Sequence, residues 1–145
     1  YNFPLERLWL LPDPTYLVYD FWKEKFLGEI TKRIQITVLP GSVTLLTLHQ
    51  KTGLPQFLST NRHVMQGAIE LEQVAWNEES RTLSGTSVNS PGSSYYNVLY
   101  LPDPEPWKQS GQGLFRDYGA YTLNQVDTHI VRIWLHFKES SRIEW

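Results

Sequence analysis

The sequence predicts an all-β fold, an antiparallel β-sandwich of about ten strands, and three observations point to it. The first is composition. The 145 residues hold 3 Ala against 27 Val, Ile or Thr and 20 Phe, Tyr or Trp, so residues that suit a pleated surface far outnumber the best helix former. The second is spacing, because turn signals rich in Pro, Gly, Asn and Ser recur about every 10 to 15 residues, as sandwich strands require. The third is that no stretch carries an apolar period of helical length.

The elements follow in order. Residues 8–11 form an apolar run stopped by Pro12-Asp13-Pro14, which reads as a short strand and a turn. Residues 15–22 are β-branched and aromatic, Lys23-Glu24-Lys25 interrupts them, and 26–30 resume around Gly28, the pattern of a hairpin. Ile34, Ile36 and Val38 alternate with polar residues, Pro40-Gly41 turns the chain, and 43–48 are apolar on both faces, as in an interior strand. Residues 51–55 are the candidate subdomain boundary within a single 1–145 domain. Residues 57–60 are extended, and in 69–76 the apolar parity changes between Leu71 and Val74, which one extra residue near Gln73, a β-bulge, reconciles. Strands are expected over 82–88, 95–101, 118–126 and 129–137, with Val131, Ile133, Leu135 and Phe137 on one face. Between them, 102–113 is a Pro- and Gly-bearing loop that carries Trp107.

Bulk properties remove several functions. Thirteen basic residues against 15 acidic ones give a net charge of -2, and the basic residues are scattered singly, so the footprint of nucleic-acid binding is missing. The longest apolar runs hold about four residues where a membrane span needs about 20. No nucleic acid and no membrane is therefore expected as a partner. The absence of cysteine excludes disulfides and thiolate chemistry and fits both oxidising and reducing compartments, which leaves localisation open. Tyr1 is neither an initiator Met nor the start of a leader, so the chain is expected to be part of a longer or processed product.

The chemical motifs are few. There is no nucleophile elbow, P-loop, HExxH helix or calcium loop, and the four histidines, 49, 63, 129 and 136, read as structural residues; neither a metal nor another cofactor is expected. His63 stands out because Asn61-Arg62-His63 and Gln66-Gly67 crowd polar groups between two strands, which makes it a candidate ligand contact. Glu70 and Glu72 share a strand face at i and i+2, the pattern of a solvated outer face more than of the opposed carboxylates of a glycosidase. Asp20, among aromatics, reads as a hydrogen-bonded turn anchor. No catalytic residue is assigned. Because a pyranose lays its apolar face on an aromatic ring, Trp107, Tyr95 and Tyr96 are the other candidate ligand contacts, one ring of the Tyr95-Tyr96 pair facing inward and one outward. Trp22 is expected in the core.

Two stretches carry a family resemblance. Tyr19-Asp20-Phe21-Trp22 with Leu27-Gly28-Glu29, then Val38-Leu39-Pro40-Gly41 and the run 43–48, resembles the end of the C-terminal β-sandwich of α-galactosidase-type, melibiase-like glycoside hydrolases. Ser59-Thr60-Asn61-Arg62-His63, Gln66-Gly67-Ala68, Trp76 and Leu83-Ser84-Gly85 are similar to the segment after that strand in some bacterial members. The resemblance implies a non-catalytic accessory domain packed on a preceding (β/α)8 barrel of the same chain, where the family's catalytic aspartates lie. It departs from the family in length, since that sandwich would be nearly complete at Leu48. The alternatives are an autonomous carbohydrate-binding module with an oligosaccharide partner and a β-rich adhesion or assembly domain.

Overall fold

The computed structural model describes residues 1–103 and 115–145, and Trp107 lies outside them. The described residues are all-β, with every paired strand antiparallel and no α-helix. The chain divides into two compact units, Tyr1–Thr52 and Gly53–Trp145, within the 51–55 segment read from the sequence as a candidate subdomain boundary.

In the first unit, strand β1 (Asn2–Pro4) pairs with β4 (Arg33–Gln35), and β2 (Tyr16–Asp20) lies between β3 (Lys25–Ile30) and β5 (Leu46–Gln50). The expected strand over 8–11 is replaced by a 3-10 turn, Leu5–Leu8, which ends at Trp9 in the left-handed region (φ 62°). A left-handed residue cannot continue a strand. Leu5, Tyr16, Val18 and Ile34 are the core of this unit, with Leu46 and Leu48 packed on them. The interior strand is β2, buried at all five positions, and β5 is an edge, contrary to the interior role expected for 43–48.

Asp20 closes the β2–β3 hairpin. Its buried Oδ1 accepts the Lys23 backbone N–H at 3.0 Å and its Oδ2 lies 3.3 Å from Lys23 Nζ, while Glu24 takes the left-handed conformation (φ 50°) needed to close a four-residue loop. Trp22 therefore sits in a turn and not in a strand. It is 54% exposed, in a T-shaped pair with Phe21 whose ring centroids are 4.9 Å apart, and the expectation that it is a core residue is corrected.

In the second unit, β10 (Phe115–Asp117), β11 (Tyr121–Gln125), β12 (Ile130–Phe137), β9 (Ser93–Tyr100) and β6 (Gln56–Thr60) form one sheet in that order. The other sheet runs β13 (Arg142–Glu144), β8 (Thr82–Val88), β7 (Leu71–Asn77). The inner faces of the two sheets meet in a sandwich-like core, where Tyr95, Leu99, Ile133, Leu135 and Phe137 pack against Ile143, Leu83 and Trp145. Leu135 and Phe137 are the expected inward residues of β12, and Val131 joins Leu101 and Leu123 in a smaller cluster. The bulge falls at Glu72: Leu71 pairs with Ser87 and Gln73 with Thr86, so Glu72 is the extra residue.

Candidate functional site

The aromatic candidates do not gather at a surface. Tyr95 is buried and stacks on Phe137 at 5.5 Å, and Tyr96 is buried against Trp134 at 4.8 Å with the Arg132 guanidinium 4.4 Å over its ring. The two rings do point to opposite faces, yet every residue of β9 from Tyr95 to Tyr100 is buried. Alternation therefore leaves no solvent-facing ring, and the expected outward tyrosine is corrected.

His63 is placed differently. It is exposed on the β6–β7 connection and lines a groove of about 640 Å³ that also takes in Arg62, Glu70, Glu72, Asn89 and Arg142. Three connections of one sandwich build it, β6–β7, β8–β9 and β12–β13. Loops at the ends of a rigid sandwich are where such polar clusters can be held without disturbing the core.

The β6–β7 connection is fixed by short-range bonds. Thr60 Oγ1 accepts the Arg62 N–H at 2.8 Å, Asn61 Oδ1 accepts the Tyr96 N–H at 2.8 Å, and Ser59 Oγ donates to Gln66 Oε1 at 2.9 Å. Gln66 N–H then donates to the His63 carbonyl at 2.8 Å, and Leu71 N–H to the Gly67 carbonyl at 3.1 Å. His63 Nδ1 accepts the Met65 N–H at 3.2 Å, so the ring proton sits on Nε2, which is left as a donor.

Glu70 ends this connection. Its carbonyl accepts the Val88 N–H at 2.9 Å and the Tyr95 hydroxyl at 3.4 Å, which pins the backbone beside the groove. The residue is only 4% exposed, and its Oε2 is buried with no hydrogen-bond donor. The solvated outer face expected for Glu70 is thereby corrected: the residue precedes β7 in a turn, and Ile69 takes the exposed position instead. Glu72, on the bulge, is exposed and forms an ion pair with Arg142. Arg142 is aimed by Ser140, whose Oγ accepts its backbone N–H at 3.0 Å.

Asn89 supplies the opposite polarity. Its backbone N–H donates to the Ser141 carbonyl at 3.0 Å, and its side-chain Oδ1 accepts the Ser90 N–H at 2.9 Å. With Oδ1 committed, the amide orientation is set, and the buried Nδ2 has no acceptor. Glu70 and Asn89 both border the groove, while Glu70 Oε2 and Asn89 Nδ2 themselves are withdrawn from solvent. Leaving such groups unmade costs about 1 to 3 kcal/mol apiece.

The groove's charges reach into the core. Burial pushes the Tyr95 phenol up to about 12; a Ser87 hydrogen bond opposes this, the Glu70 carboxylate adds to it and the Arg62 charge opposes it. An unfolded tyrosine ionises near 10, so above that pH the unfolded chain loses a proton that the folded chain keeps. Stability is expected to be level up to about pH 10 and to fall toward pH 12. Tyr95→Phe should flatten that decline, measured as denaturant midpoint against pH. Part of the slope should persist, because burial also raises Tyr121.

Among the described residues no three His, Cys, Asp or Glu side chains are grouped to hold a metal ion, and no helix is long and apolar enough to cross a membrane. Asn89 and Arg142 are the groove residues that sequence reasoning missed. The one usable signal was the parity break before Val74, which marks the bulge carrying Glu72. Compared with known protein families, curated proteins and solved structures, the chain matches none.

Proposed function

We propose that the chain is a non-catalytic accessory β region of a carbohydrate-active enzyme of the α-galactosidase type, serving a catalytic (β/α)8 barrel of the same polypeptide. One observation carries the reading: the residues on which the resemblance rests do structural work. Asp20 closes a hairpin, Gly28 takes a positive φ of 104° where the β2–β3 register shifts, and Leu46 and Leu48 fill the core of the first unit. A motif spent on turns and packing suits a scaffold. The carboxylates of the groove agree with it, since Glu72 is tied to Arg142 in an ion pair.

The chain is expected to release no nitrophenol from nitrophenyl α- or β-glycosides. Turnover that survives repurification and is abolished by Asp20→Asn or Glu70→Gln would overturn the proposal.

A further inference from the structure

We infer that an apolar pocket between the two sheets of the second unit is a binding site for a small uncharged aromatic molecule, one ring or two fused rings in size. The inference goes beyond the accessory reading and does not depend on it.

The pocket has a cause in the topology. Strands lie about 4.8 Å apart, so the five-stranded sheet is about 19 Å across and its three-stranded partner about 10 Å, too little to cover the whole inner face opposite it. The surface left over is apolar. Val131 pairs with Leu99, Ile133 with Leu123 and Leu135 with Tyr121, so one inward row sets Leu99, Val131, Ile133, Leu123 and Tyr121 side by side. Leu83 of β8 and Trp145 face them from the other sheet, and the space between is about 190 Å³. Its lining can be reached from outside. Leu99, Val131 and Ile133, each 6% exposed or less, form the floor, Leu83, Tyr121, Leu123 and Trp145 are half-buried walls, and Tyr118 is 54% exposed at the mouth. The mouth is fixed by its turn. Tyr118 stacks on Tyr121 with ring centroids 4.8 Å apart, its N–H donates to the Tyr121 carbonyl at 2.9 Å, and the Gly119 N–H donates to Asp117 Oδ1 at 2.8 Å.

The lining selects the chemical class. Among the described residues that border the pocket none is charged, and the Thr82 hydroxyl is already donated to the Ser80 carbonyl at 3.1 Å. An ion would lose its hydration there without gaining a counter-charge, and a sugar would leave most of its hydroxyls without partners. An uncharged apolar molecule loses nothing by entering. Volume sets the size, since an apolar cavity of about 150 Å³ takes up benzene. The 190 Å³ here leaves room for little more than a second ring. A flat aromatic is favoured over a branched aliphatic because Tyr121 and Trp145, on opposite walls, and Tyr118 at the mouth offer it ring contacts beyond what burial alone gives.

The test is titration of the whole chain with indole and with toluene, followed by methyl NMR signals; methyl glucoside and inorganic phosphate are the polar comparisons. Expected is saturable binding of at least one aromatic with a Kd of about 1 mM or tighter, and intermolecular NOEs from its ring protons to the methyls of Leu83, Leu123 and Ile133. The polar probes should leave these methyls unmoved. Leu83→Phe and Leu123→Phe, each of which puts a ring of the protein's own into the space, should weaken binding about tenfold or more. The thermal midpoint shows whether each variant is folded, and if neither is, the wild-type NOEs decide alone. No saturable response to either aromatic at millimolar concentration, NOEs that map outside the pocket, affinity unchanged in a folded filled variant, or equal binding of methyl glucoside or phosphate would each overturn the site. None of these outcomes touches the accessory proposal, which falls only to turnover.

Discussion

Gly85→Ala should destabilise the chain by about 3 kcal/mol, the upper end of what overpacking a core costs. The C-terminal indole lies flat on this glycine: a methyl added there would come within 2.7 Å of Trp145 Cε2 and Cη2. The ring has little room to yield. Gly85 and Trp145 exchange both backbone hydrogen bonds, at 2.8 and 3.0 Å, and Trp145 Nε1 donates to Ser87 Oγ at 2.8 Å. That hydroxyl also accepts from Asn97 Nδ2 at 3.0 Å, so swinging the indole away disturbs a second buried side chain.

The cause can be separated from the effect by a double-mutant cycle. Trp145→Ala alone should cost about 2 to 3 kcal/mol, less than a fully buried tryptophan because the ring is half-buried. In that background Gly85→Ala should be neutral or stabilising by about 0.5 kcal/mol, since the clash has gone and alanine is the better strand residue. Denaturant midpoints followed by circular dichroism measure all four corners. A penalty for Gly85→Ala that persists without the indole would show that the backbone at Gly85, and not the ring, forbids a side chain.

What could be read in the sequence depended on whether a residue's fate is local. The strand Thr82–Val88 follows from the turn signals on either side of it and the inward row of β12 from alternation within one segment, and both are found where they were expected. Trp22 failed because the aromatic run continues past Asp20 into a hairpin turn, and composition alone does not mark where pairing stops. Whether 43–48 is an edge or an interior strand depends on what lies beside it, which its own apolarity cannot tell. The strand Arg142–Glu144 is three residues long, too short for a period, and its pairing with Val88, Ser87 and Thr86 is a tertiary fact. Glu70 and Asn89 were illegible for the same reason. Each looks like an ordinary polar residue beside a turn, and only the meeting of two connections leaves an acceptor and a donor buried without partners.

Gly67→Ala should cost about 4 kcal/mol and should disturb the groove as well as the fold. Two separate penalties act at this position. The backbone φ is +103°, which an L side chain rarely adopts, and holding it there costs about 1 to 3 kcal/mol. The added methyl would also lie 2.6 Å from Phe57 Cζ and 3.0 Å from Leu71 Cδ1, an overpacking of about 1 to 3 kcal/mol more. Phe57→Ala separates them in the main, because in its background the clash with the ring is gone and Gly67→Ala should cost the conformational part plus the milder contact with Leu71. The same variant bears on the site. Gly67 lies between His63 and Glu70, and its carbonyl accepts the Leu71 N–H that starts β7, so a displaced backbone here re-aims the Glu70 carboxylate. The chemical shifts of the 61–70 connection should therefore move in Gly67→Ala at temperatures where circular dichroism still shows folded strands. If the substitution costs less than about 1 kcal/mol, the connection relaxes freely, and neither the positive φ nor the contact with Phe57 constrains this position.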